Sequence, residues 1–181
     1  TTKIMTALVV LEILEELSLG ADSRVIVPAE AARLEGSSIY LKVGEKVMME
    51  ELLYGMMLQS GNDAATAAAI CAGGNLRNFV ARMNRKAEEL GCTGTSFTCV
   101  HGLYDYGNVS TAEDLAKIAS ACYANETYMQ VANIQSYTLP ATNLHQNERS
   151  ITSTNLMLNP EYLYYRDYIR GMKTGFTTLA G

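Results

Sequence analysis

The sequence predicts an α+β fold. Three observations point to it. Helix-forming segments fill most of the first two thirds, short extended segments lie at both ends of that run, and no internal repeat, low-complexity run or proline-rich linker divides the chain.

Taken in order, residues 2–18 form a helix with Ile4, Leu8, Leu11 and Leu14 near one face, ended by Leu19-Gly20-Ala21-Asp22. Residues 23–28 alternate like a strand, and residues 38–43 are a second short extended piece. Residues 47–59 read as a helix, with Met48, Leu52 and Met56 at i, i+4 spacing and Gly61 as its stop. Asn62 or Asp63 caps a third helix over 64–72, whose small side chains place it inside against other backbones. Residues 76–90 form an amphipathic helix closed by Gly91, and Ser110-Thr111-Ala112-Glu113 is a capping box opening a helix to about Tyr123. Residues 136–139 and 150–154 are extended, 162–168 are rich in tyrosine, and 168–178 read as a strand carrying Gly171 and Gly175. The result is a helical lobe of roughly 110 residues with sheet material at both ends.

Composition bounds the function. The 181 residues suit one domain, and 48% hydrophobic with 18% charged residues bury a core and argue against disorder. Fourteen Lys+Arg against nineteen Asp+Glu give a net charge of -5. With no basic tract, nucleic acid is excluded as a partner. No uncharged apolar stretch approaches the ~20 residues that span a bilayer. The stretch 4–14 is broken by Glu12 and followed by Glu15 and Glu16, so it reads as a soluble helix. No signal peptide is recognisable, and the abrupt ends read as those of a piece of something longer.

Cys71, Cys92, Cys99 and Cys122 show no C-x-x-C pair, and no His lies at zinc-finger spacing, so no metal site is expected. The four are expected as free thiols, although Cys92 and Cys99 could pair across a loop. Cys71 is expected to be buried in the small-residue helix, and Cys92 and Cys99 to react first. His101 and His145 are isolated and read as structural or exposed. No phosphate-binding G-x-x-x-x-G-K-[ST] occurs.

Three places could carry chemistry. Thr1-Thr2-Lys3 puts a cation in the first turn of a helix, where the dipole opposes it by about 0.3–1 kcal/mol and moves the amine toward use as a base. Ser60-Gly61-Asn62 lies in a turn between helices, and Lys173-Thr174-Gly175 lies in a strand whose glycines allow close approach to the backbone. Each alone also fits an ordinary role: a solvated lysine, helix punctuation, a surface strand. In a regular strand, moreover, Lys173 and Thr174 would point to opposite faces.

In that order the three are similar to S-x-x-K, S-x-N and K-T-G of the penicillin-recognising serine acyltransferases. Residues 1–8, 52–65, 83–87, 89–91, 110–116 and 171–177 resemble the low-molecular-mass D-alanyl-D-alanine carboxypeptidases, and the resemblance covers essentially the whole chain. It implies a β-lactamase/transpeptidase-like fold, a helical lobe packed against an antiparallel sheet, with residues 1–181 as part of the catalytic domain. The family's nucleophilic serine would stand immediately before Thr1. The 181 residues alone are therefore expected to form no covalent penicillin adduct.

The resemblance assigns Lys3 as the base, Ser60 as the proton relay and Asn62 to hold the substrate amide or Lys3. Lys173, Thr174 and Gly175 would bind the substrate carboxylate, and the Phe176 N–H would share an oxyanion hole with the serine. It implies no cofactor. The expected partners are a peptidoglycan stem peptide ending in D-Ala-D-Ala and β-lactam antibiotics, with membrane attachment only through an anchor outside this chain and an extracytoplasmic location. The deacylating E-x-x-L-N of one β-lactamase class is not matched by Glu148 or Glu161, so penicillin is expected to inhibit. Endopeptidase, transpeptidase or β-lactamase activity, or a non-catalytic scaffold, are the alternatives.

Overall fold

A helix that is apolar all round belongs in the middle of a protein. The first helix, α1 (Thr2–Glu16), takes that place: only Glu12, Glu15 and Glu16 reach the surface. The one-sided stripe expected from Ile4, Leu8, Leu11 and Leu14 understates it, because Met5, Val9, Val10 and Ile13 fill the remaining faces and are buried too. The computed structural model describes residues 2–175.

Five helices pack around α1: α2 (Met49–Met57), α3 (Asn62–Gly73), α4 (Leu76–Glu89), α5 (Ala112–Ala124) and α6 (Glu126–Asn133). In α3, Ala64, Ala65, Ala67, Ala68 and Ala69 are fully buried, and their small side chains let the helix lie against both α1 and α2. Leu52, Leu53 and Met56 of α2 complete the same core, each worth about 1.5–3 kcal/mol of burial. The amphipathic helix α4 ends as expected, with Gly91 in the left-handed region at φ 70°. The cap of α5 lies one residue later than expected. Thr111 accepts the Asp114 N–H, and the Asp114 carboxylate turns away to Gly94 and Thr95 instead of closing a box. Helix α6 was not foreseen, since it is short and its apolar residues Tyr128, Val131 and Ala132 make only a narrow face.

Two antiparallel ribbons flank the helices. β1 (Arg24–Ile26) pairs with β2 (Lys46–Met48), Val25 opposite Val47. β3 (Ser136–Leu139) pairs with β4 (Arg149–Thr152), Tyr137 opposite Ile151, and Leu139 and Ile151 point inward. Among the described residues the two ribbons do not join into one sheet. Residues 47 and 48, expected at the start of a helix, belong to β2; the helix begins at Met49, with the Glu51 carboxylate accepting the Met48 N–H.

Two expected strands are not formed. Residues 38–43 have no ladder partner, because the Asp63 carboxylate takes the Ile39 and Leu41 N–H groups that a neighbouring strand would need. Residues 168–175 also lack a partner strand, and Gly171 sits at φ 53°; the rest of that expected strand lies outside the described residues. All four cysteines are free. Cys71 is half-buried rather than buried, because the end of α3 meets β1, where its thiol donates to the Ile26 carbonyl (3.6 Å). Cys92 is buried against α5 rather than open in a loop, its thiol donating to the Asp114 carbonyl (3.7 Å).

Candidate active site

At the N-terminal end of α1 lies a cleft of about 480 Å³. Lys3, Ser60, Asn62, Lys173, Thr174 and Gly175 all line it, so the three separate sequence signals converge in space. Phe176 lies outside the described residues.

Lys3 is only 6% exposed, and its ammonium donates to Asn62 Oδ1 (2.7 Å) and the His101 carbonyl (2.6 Å). Burial, and after it the positive charge of Lys173, bring its pKa down to about 8, against an opposing pull from Cys99 and Asp63. An amine near neutrality, hydrogen-bonded into a cleft, is equipped to accept a proton.

The turn between α2 and α3 explains why Ser60 and Asn62 reach this place. Ser60 adopts φ 61°, and a Cβ on Gly61 would come within 2.8 Å of Asp63 Oδ1, so the tight turn needs its glycine. Gly61 is the N-cap of α3 rather than the stop of α2, which ends at Met57. Neither Asn62 nor Asp63 serves as the cap. Asn62, 4% exposed, accepts from Lys3 at Oδ1 and donates from Nδ2 to the Glu35 carbonyl (2.6 Å). Gly36, at φ 83°, passes so close that a Cβ would meet Asn62 Nδ2 at 2.9 Å.

Asp63 holds the loop that supplies these contacts. Its carboxylate, 2% exposed, accepts from the Ser38 hydroxyl (2.6 Å) and from the N–H groups of Ile39, Leu41 (3.0 Å) and Ala64 (2.8 Å).

On another wall, Lys173 donates to the Thr174 carbonyl (2.7 Å), and the hydroxyls of Thr174 and Thr154 are hydrogen-bonded. Because this segment is not a regular strand, Lys173 and Thr174 line the same cleft instead of facing opposite ways. Burial brings the Lys173 pKa down to about 8. Two depressed lysines leave the cleft positive below that pH in a chain of net charge -5, so the positive field here is local.

His101, read as structural or exposed, lines the cleft half-buried, and it is its main-chain carbonyl, not foreseen in the sequence, that meets Lys3. Its ring is structural: Nδ1 accepts the Leu103 N–H (3.1 Å), and burial, then the nearby Lys3 charge, lower its pKa. A carbonyl carries no residue-type signal, so no motif could have revealed it. Thr2 and Asn108, joined by a hydrogen bond at the cleft wall, were missed for a similar reason: their partners are distant in sequence. Glu148 and Glu161 are exposed and do not line the cleft.

A family profile described as D-alanyl-D-alanine carboxypeptidase matches residues 1–181. The chain is 33% identical, over 97% of its length, to D-alanyl-D-alanine carboxypeptidase DacF of Bacillus subtilis, and 35% identical, over 99%, to DacC of Escherichia coli. It spans 43% and 44% of those relatives, less than half their length. Among solved structures it superposes on the carboxypeptidase DacD of Francisella tularensis with a TM-score of 0.87 (26% identity, 99% of this chain, 54% of that one). A mutant of the Streptomyces K15 DD-transpeptidase gives a TM-score of 0.84 (33% identity, 98% of this chain, 70% of that one). The expected α+β transpeptidase-like fold is therefore the fold of the chain.

Proposed function

The chain belongs to the D-alanyl-D-alanine carboxypeptidase family, and from that premise we propose that the whole protein is a serine-type carboxypeptidase. It removes the terminal D-alanine from peptidoglycan stem peptides and is acylated by penicillins. The observation that carries this reading is the Lys3 ammonium, held between Asn62 Oδ1 and the His101 carbonyl in one cleft with Lys173 and Thr174.

In the proposed reaction the nucleophile is a serine immediately before Thr1, one helical turn from Lys3. Neutral Lys3 takes the hydroxyl proton as the serine oxygen attacks the carbonyl between the two D-alanines. Lys173 and Thr174, with the Gly175 backbone, hold the terminal carboxylate. The N–H groups of the serine and Phe176 stabilise the oxyanion, a contribution often worth about 10²–10³ in rate. Ser60 passes the proton to the leaving amine, the C–N bond breaks and D-alanine departs. Water then attacks the acyl ester, losing its proton to Lys3, and the serine is regenerated. Asn62 keeps Lys3 aimed. With neither Glu148 nor Glu161 at the cleft, deacylation of a penicilloyl ester has no carboxylate base from these residues, which supports inhibition rather than turnover.

A substrate of this kind places the protein outside the cytoplasmic membrane. Among the described residues no helix is long and apolar enough to cross a bilayer. The test is release of D-alanine from a diacetylated peptide ending in D-Ala-D-Ala by the full-length protein. We expect release by the wild type and none above background from Lys3→Ala, at any substrate concentration. A folded full-length protein that releases no D-alanine overturns the reading in favour of a scaffold, and release unchanged by Lys3→Ala removes the base.

A further inference from the structure

We infer that Asn108 is a positioning residue for the acyl-transfer reaction, acting through Thr2 to fix the first turn of α1 and hence the reach of Lys3. The inference rests on the function proposed above.

The segment 96–110 grips the start of α1 at three points. The His101 carbonyl accepts from Lys3, the Val100 carbonyl accepts from the Thr6 hydroxyl (2.7 Å), and Asn108 Nδ2 donates to Thr2 Oγ1 (3.0 Å). Lys3 and Thr6 are held by main-chain carbonyls. Only the Thr2 grip depends on a side chain of the loop.

Asn108 is itself fixed at both ends. Its Oδ1 accepts the Thr98 N–H (3.3 Å), and its own N–H donates to the Asp105 carbonyl (3.0 Å). Next to it, Val109 and Ser96 exchange both backbone hydrogen bonds (2.9 and 3.0 Å), tying the segment's two ends together. From the other side Gly102, at φ 82°, lies so close that a Cβ there would stand 3.1 Å from both the Cβ and the Oγ1 of Thr2. Thr2, 6% exposed, is thus seated between an amide donor and a bare glycine backbone.

The turn around Thr2 joins Lys3 to the position before Thr1, where the reaction requires alignment to a fraction of an ångström. A hydrogen bond to Thr2, between those two positions, holds the turn without occupying the cleft side of Lys3.

The test uses the full-length protein and a fluorescent penicillin. Asn108→Ala and Thr2→Val are each expected to slow acylation about 10- to 100-fold, the scale at which misalignment of a reacting group is felt. Their kcat for the D-Ala-D-Ala peptide should fall with KM unchanged, and their melting temperatures should match the wild type. Thr2→Ser, which keeps the oxygen, should acylate at the wild-type rate. The double variant Thr2→Val/Asn108→Ala should be no slower than the slower single one, because both remove one interaction.

Wild-type rates in Asn108→Ala, or losses that multiply in the double variant, overturn the inference. Slowing that tracks a lowered melting temperature, without the Thr2→Ser rescue, also overturns it, since it marks a merely structural contact. A wild-type protein that forms no adduct fails for a different reason, by removing the reaction itself.

Discussion

Lys3 and Lys173 share one difficulty, since each holds a charge where water is scarce, and Lys3 also sits in the field of Lys173. The sequence pointed to a lowered Lys3 pKa through the helix dipole, and the direction is right. The larger causes, burial first and Lys173 second, depend on how the chain closes over the helix end and are not written in residues 1–3. The sign of the coupling gives a prediction. A neighbouring positive charge disfavours the ammonium, so removing it raises the Lys3 pKa above about 8. In the proposed mechanism acylation needs neutral Lys3, so the rate is expected to rise with pH through that pKa and level above it. In Lys173→Met, measured at saturating penicillin to offset weaker carboxylate capture, the rising limb should move to higher pH. A limb that stays in place, or moves to lower pH, contradicts the coupling.

At the scale of elements, α1 to α5 and the two late strands were legible because their signals are local, such as apolar spacing in α4 and small residues in α3, whereas the short α6 carries too narrow an apolar face. The loop over residues 35–41 was not, because what orders it comes from a helix more than twenty positions away. Asp63 looked like helix punctuation. It is instead the hub that replaces a strand partner for Ile39 and Leu41 and thereby sets the Glu35 carbonyl under Asn62. Asp63→Ala leaves buried N–H groups without an acceptor, and should lower unfolding free energy by about 3 kcal/mol. Chemical denaturation of the full-length protein checks this; a loss under about 0.5 kcal/mol, the scale of an ordinary surface substitution, would mean that the loop holds itself.

For the whole molecule, a buried acid ties the loop before β2 to the late ribbon. Glu45 is fully buried and accepts from Arg149 of β4 (2.5 Å), from Thr142 Oγ1 (3.0 Å) and from the Lys42 N–H (2.9 Å). Arg149 also donates to the Ile39 carbonyl (2.9 Å), so the ribbon braces the loop that Asp63 orders. A chain of fixed contacts therefore runs from β4 to Asn62 and Lys3. No pattern in the sequence marks Glu45 or Arg149, because a buried ion pair between distant segments leaves no periodic trace. What the sequence did carry was the identity of the three motifs, whose meeting in one cleft is the ground for acyl transfer. The most direct measurement is the site of covalent attachment: intact-mass analysis and peptide mapping of the full-length protein after treatment with benzylpenicillin. A single stoichiometric adduct on a serine immediately preceding Thr1, absent in Lys3→Ala, is the predicted result. An adduct on Ser60, or no adduct on a folded protein, would contradict it.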